Sequence, residues 1–288
     1  QNAPAEYVLE MSYPAVDQVD FYTIRAHGNA TVQKAGDFRP YSERDIGHNN
    51  PAMQLSLGPL EGAEIWIRVA SGGSIVLPFH LYTRSEFLEK DALEKLFYGA
   101  YFGIMIIMFV YNFFLSLSLR SLTYLYYILY IFFLGWMNLN LSGLGMRYLW
   151  PESPDFQNRS LPALVCLAIS SSMIFSARLL NSKQMMPVFH KLFLALAWMA
   201  LVPVFISPFG YFDGLFNRIT QYLALLFTLI LFSGGLRSLV TGYKPARYFF
   251  LAWFLFLLSS VAFVLRNLGV FPSTFLTDNG LFFGSVIE

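Results

Sequence analysis

Four side chains of this 288-residue chain are of kinds that grip small polar ligands and lie close together in sequence: Trp66, Arg68, His80 and Tyr82. Aromatic rings offer a flat stacking surface, and a guanidinium forks onto a carboxylate. Period-two alternation through residues 64–69 and 74–82, with Ser71, Gly72 and Gly73 as a turn signal between them, predicts an antiparallel hairpin. On that hairpin the four share one face, making them the candidate binding residues for a sugar or carboxylate. Ile65, Ile67 and Val69 share the other face with Ile75, Leu77, Phe79 and Leu81, toward a core. The plainer reading of the polar face is ordinary solvent exposure, or cover by further strands.

Other reactive groups are scattered. His27, His48 and His80 do not stand at metal-ligand spacing, so no metal is expected. Glu152 and Asp155 are too isolated to form an acid–base pair, and solvation in a loop accounts for them. Cys166, the single cysteine, sits in an apolar run and reads as a buried free thiol. No catalytic residue and no cofactor is expected within this chain.

The elements around these residues divide sharply by charge. Hydrophobic residues make up 56 % of the chain and charged residues 13 %, about half the usual charged share of a soluble domain. Thirteen of the eighteen acids lie before residue 96; between Phe97 and Ile287 only Glu152, Asp155, Asp213 and Asp278 occur. The boundary falls near Leu93 and separates a water-solvated part from a lipid-solvated one. A net charge of +1 gives no basic surface for nucleic acid.

Six apolar segments, 96–118, 122–142, 161–180, 192–209, 219–240 and 248–265, are near the roughly 20 residues that span a bilayer as a helix. A seventh begins near Leu281. No initiator Met or signal peptide is visible, so the chain reads as a processed protein or an excised fragment, and its ending inside a new apolar run favours a fragment. With residues 1–95 outside, seven basic residues fall in inner loops (Arg120, Arg178, Lys183, Lys191, Arg237, Lys244, Arg247) and four in outer loops (Arg147, Arg159, Arg218, Arg266), in the positive-inside sense. The spans contain no Asp, Glu, His or Lys at mid-membrane, which removes most support for a proton-coupled carrier or a membrane hydrolase. Their polar groups are Asn112, Asn138, Asn140, Ser170, Ser171, Ser172 and Gln221, expected to hydrogen-bond between helices. Gly99 and Gly103 make a GxxxG pair suited to close packing, within the chain or between two copies.

Residues 1–84 read as a β-sandwich, with further strands at 7–11, 19–25, 31–34 and 53–57 and a turn at Gly28 and Asn29. Residues 85–95 read as a helical linker capped by Ser85, and residues 96–288 as the membrane domain.

Several runs carry a family likeness: Phe97-Tyr98-Gly99, Gly103-Ile104, Tyr111-Asn112-Phe113-Phe114-Leu115, Arg120 before Tyr124-Leu125-Tyr126-Tyr127, then Gly135, Gly143 and Trp150-Pro151. Upstream stand Val19-Asp20-Phe21-Tyr22, Gly36-Asp37, Ile67-Arg68-Val69 and Leu77-Pro78. In order and spacing the chain resembles the bacterial seven-transmembrane receptors with diverse intracellular signalling modules. The resemblance implies a periplasmic jelly-roll sensor similar to carbohydrate-binding modules, an all-α seven-helix bundle in the inner membrane, and an output module after the seventh span. That module would be a diguanylate cyclase, histidine kinase or related unit in the same polypeptide, and a homodimer is expected by analogy. The function so implied is a receptor for an unknown periplasmic small molecule or carbohydrate, embedded in the lipid bilayer. A transporter or channel with an accessory outer domain is the alternative.

Overall fold

The computed structural model describes the chain apart from residues 1–4, 26–29, 73–76, 207–212, 241–245, 268–270, 272–273, 275–276, 278 and 288. It divides into two compact units, residues 1–99 with 139–158 and residues 100–138 with 159–288.

Among its described residues the first unit contains six strands: β1 (Ala5–Met11), β2 (Gln18–Arg25), β3 (Ala30–Ala35), β4 (Ala52–Leu57), β5 (Ala63–Ala70) and β6 (Phe79–Thr83). They form two three-stranded antiparallel sheets, β4-β1-β6 and β3-β2-β5. Met11, Val19, Phe21 and Met53 are fully buried between the sheets, and Ile65, Ile67, Val69 and Phe79 pack on them. Each such side chain contributes about 2 kcal/mol by leaving water. The sandwich expected from the alternation is therefore present. β2 and β3 pair as expected, while the turn at Gly28 and Asn29, like His27, lies outside the described residues.

The expected hairpin does not form. β5 pairs with β2, and β6 pairs with β1 in the opposite sheet. Two bonds show why. Asp17, in the β1–β2 connection, accepts from the Ser71 hydroxyl at 3.2 Å and the Gly72 amide at 2.7 Å, holding the end of β5 beside β2. The Pro78 carbonyl accepts from the Ser12 amide at 2.9 Å, bringing β6 to β1. Leu77 and Leu81 are consequently 50 % and 59 % exposed rather than core, and Ile75 lies outside the described residues.

β6 leads directly into α1 (Arg84–Leu119), a single 36-residue helix. Its cap is Thr83 rather than Ser85. The Glu86 amide donates to Thr83 Oγ1 at 3.4 Å and the Thr83 amide donates back to Glu86 Oε2 at 2.9 Å, a reciprocal capping box. The remaining helices are α2 (Leu122–Leu141), α3 (Leu144–Tyr148), α4 (Pro154–Leu179), α5 (Ser182–Met185), α6 (Pro187–Ile206), α7 (Asp213–Val240), α8 (Ala246–Asn267) and α9 (Gly280–Ile287).

Among the described residues five helices, α1, α2, α4, α6 and α7, are long and apolar enough to cross a membrane. α8 covers the sixth apolar segment, with an apolar run over Arg247–Ser259, and α9 begins at the predicted seventh. Large apolar side chains on these helices face outward, Ile107 at 69 % exposure and Phe205 at 73 %, as lipid-solvated surfaces do and water-solvated ones rarely do in such numbers. α9 lies close on α8, where a Cβ on Gly284 would stand 2.9 Å from Ser259 Cβ.

Two expectations for the spans are revised. Ser171 and Ser172 donate to carbonyls of their own helix, at 2.7 Å and 2.9 Å, not across helices. A hydroxyl three or four residues beyond a carbonyl reaches it without a partner helix. Asn138 does bond between helices as expected: it donates to the Tyr101 hydroxyl, itself 2.9 Å from Ser285 Oγ on α9. Gly99 and Gly103 would each accept a Cβ with nothing within 4 Å, so among the described residues the GxxxG pair packs no helix.

Candidate functional site

The sandwich splits the four predicted ligand residues. Trp66 and Arg68 lie on the outer face of the β3-β2-β5 sheet, where the register sets Trp66 opposite Tyr22 and Arg68 opposite Asp20. Trp66 is 63 % exposed, and its indole N–H stands 3.4 Å from Glu64 Oε2. Arg68 lies 3.6 Å from Asp20, whose carboxylate also takes Arg39 at 2.6 Å. Tyr22 thus joins Trp66 and Arg68 on one face. Period-two alternation alone could not have found it, because it sits on a strand distant in sequence.

His80 and Tyr82 belong to the other sheet. Their register partners on β1 are Glu10 and Val8, on the face opposite the sandwich core. Phe87 of α1 packs there in an apolar cluster with Val8, Ala52, Ile46 and Tyr82. The first turns of α1 therefore form a third layer over β4-β1-β6.

This third layer carries a buried ionic joint. Glu10 is fully buried; its two carboxylate oxygens each take Lys90 Nζ at 2.7 Å, and one also accepts from Asn50 at 2.6 Å. Lys90 continues to Glu94 at 2.8 Å, one helical turn on, and stands 5.5 Å above the Tyr82 ring. Helix spacing explains the next link. Asp91 and Glu94 lie three apart on α1, and both face His48 Nε2, at 3.4 Å and 3.3 Å. His48 Nδ1 accepts from the Asn50 amide at 3.2 Å, which leaves Nε2 to carry the proton toward the two carboxylates. Asp91 then takes Lys95 at 2.5 Å and Arg147, of α3, at 3.4 Å.

The segment joining α2 to α4 is held to the loops of the sandwich as well. Arg147 donates to Asn49 Oδ1 at 3.2 Å, the Tyr41 amide to the Pro151 carbonyl at 2.8 Å, and Asn158 to the Asp37 carbonyl at 3.0 Å. Gly143 fits because it takes φ 72° and because a Cβ would stand 3.0 Å from the Asn49 carbonyl oxygen. Arg44 closes the loop 36–50 by donating to the carbonyls of Gly36, His48 and Asn49, each at 3.0 Å. Its guanidinium lies 5.2 Å above the Tyr41 ring.

Among the described residues, four buried polar atoms of this region make no hydrogen bond: Asp37 Oδ1, Tyr41 Oη, Arg44 Nε and His48 Nε2, the last within ion-pair range of Asp91 and Glu94. Gly36, at φ 126°, directs Asp37 inward and cannot bear a side chain, since a Cβ would collide with the Asp17 carbonyl. Burial, reinforced by Asp17 and opposed by Arg44, raises the Asp37 pKa from 3.8 to about 7. Burial likewise raises Tyr41 and lowers Arg44. Among the described residues no three His, Cys, Asp or Glu side chains converge as a metal site requires. What this arrangement can do is mechanical: it couples the β4-β1-β6 sheet to the head of α1 and to the α2–α4 segment by charges that cannot separate without desolvation loss.

Sequence comparison bears on both parts of the chain. The family model described as 7TM diverse intracellular signalling matches residues 94–288, and the one described as 7TMR-DISM extracellular 2 matches residues 1–83. No curated protein and no solved structure matches the chain.

Proposed function

The chain belongs to the seven-transmembrane receptors with diverse intracellular signalling modules, and on that premise we propose that its β domain senses a periplasmic ligand and drives α1 through the ionic joint. The matched domains are sensory and transmembrane, not catalytic, and the protein crosses the membrane several times. The observation carrying the proposal is that joint. Fully buried Glu10, on the strand central to one sheet, is bonded to Lys90 of a helix that runs on without interruption as the first span.

Tyr22, Trp66 and Arg68 are the proposed contact face, and their chemistry favours a carbohydrate. The domain lies on the periplasmic side of the inner membrane, following the distribution of basic residues. Output passes to a cyclase or kinase module of the same polypeptide, working as a homodimer. A ligand moves this equilibrium only by its differential affinity for the two states of the domain.

The test is titration of the whole protein, in nanodiscs, against a panel of oligosaccharides. Trp66→Ala is expected to remove the binding of any hit, because the exposed ring supplies the stacking surface. Binding indifferent to both Trp66→Ala and Arg68→Ala refutes the contact face. Signalling that survives deletion of residues 5–83 refutes the sensory role.

A further inference from the structure

We propose that the half-open pocket lined by α1, α2 and α4 beside the α1–α2 turn binds the phosphate headgroup of an anionic membrane phospholipid, with Arg178 as its charge partner. The cavity measures about 400 Å³, within the range of small-molecule sites. The polar residues lining it are Arg178, Asn112, Ser121, Thr123, Tyr124 and Tyr127; the Asn112 amide also donates to the Met108 carbonyl at 2.8 Å. Hydroxyl donors around one guanidinium are the composition that phosphate oxygens ask for.

The charge is uncompensated. No carboxylate stands within ion-pair range of Arg178 among the described residues, and no acid occurs within twenty residues of it in the sequence. Its one close partner is the Tyr126 ring, 5.2 Å from the guanidinium carbon. Stacking uses the flat face of a guanidinium and leaves its in-plane N–H donors for a bidentate acceptor. The first turn of α2 adds backbone amides that have no acceptor inside that helix, and Thr123 and Tyr124 belong to that turn.

The surroundings choose between sources of phosphate. Phe175 and Leu179 form the apolar part of the wall, and Phe114, Leu117 and Leu122 nearby in sequence are 63 %, 60 % and 51 % exposed. A phosphate that arrives with acyl chains fits such a setting, whereas a soluble phosphate leaves that apolar surface bare. The turn between two apolar spans also lies at headgroup depth, where basic pockets between helices hold anionic lipids. The proposal requires only that α1, α2 and α4 span a bilayer, and it stands apart from the identity of the periplasmic ligand.

Delipidated full-length chain in detergent would be titrated with phosphatidylglycerol, phosphatidylcholine and inorganic phosphate, with occupancy read by native mass spectrometry. Phosphatidylglycerol is expected to bind at one saturable site, about tenfold more weakly in Arg178→Gln and about threefold more weakly in Tyr124→Phe. Arg237→Gln, at the end of α7, should leave binding unchanged. Tyr124→Phe keeps the ring and secures the test if Arg178→Gln fails to fold. Equal loss in the Arg178 and Arg237 variants, or none in the Arg178 and Tyr124 variants, overturns the site. Competition by inorganic phosphate at equal concentration overturns the lipid as its occupant.

Discussion

Replacing Asp37 by Asn keeps the shape of a buried side chain while removing its ability to ionise. In the wild type, burial and the neighbouring Asp17 lift this carboxyl from 3.8 to about 7. Between about pH 4 and 7 the folded protein therefore holds a proton that the unfolded chain has released. Stability falls as pH rises through that window, then levels off once both states are ionised. Three units at 1.36 kcal/mol each set the full penalty at about 4 kcal/mol. The groups facing Asp37 are Asp17 and Arg44 in charge and Asn158 by hydrogen bond. Thermal melting of the whole protein in detergent, followed from about pH 4 to 8, is the assay. Wild type and Asp37→Asn should converge at the acid end, with the variant the more stable at the alkaline end. A difference that is constant with pH, or a variant less stable at pH 8, refutes the reasoning.

Glu10→Gln leaves Lys90 partly buried against a neutral amide and should cost about 3–5 kcal/mol. The double variant Glu10→Gln/Lys90→Met should recover part of this, and strictly additive losses in melting would disprove the pairing. Gly143→Ala forces an L side chain to φ 72° against the Asn49 carbonyl, with an expected loss of about 1–3 kcal/mol in the same assay. Tyr101→Phe removes the hydroxyl shared by Asn138 and Ser285, worth about 1 kcal/mol. It should speed amide hydrogen exchange in α9, and unchanged protection there would show that the contact holds nothing.

Strands and spans were legible because period-two alternation and long apolar runs are local signals. Partner choice was not. The signal at Ser71 and Gly72 marked a change of direction correctly, but which strand receives β6 is decided by Asp17 and Ser12, far away in sequence. That error divided the predicted ligand face and hid Tyr22. The ionic joint escaped for the same reason. Lys90, Asp91 and Glu94 read as ordinary charges of a solvated linker, and only the fold sets buried Glu10 and His48 against them. The serine run was misread because a hydroxyl in a helix can satisfy itself on its own backbone.

Thr83 caps, and Leu119 ends, one helix that begins on the sandwich and finishes beyond the first span. At 1.5 Å per residue it is a rod of about 54 Å with no joint of its own in which to lose rotation. Phase then becomes a quantity that evolution must protect. One residue inserted after Lys95 would turn everything beyond it by about 100° around the axis, whereas seven would restore the original facing to within about 20°. Receptor variants with insertions at that point should lose and regain response with the period of the helix. Torque, rather than distance, is what such a shaft can carry.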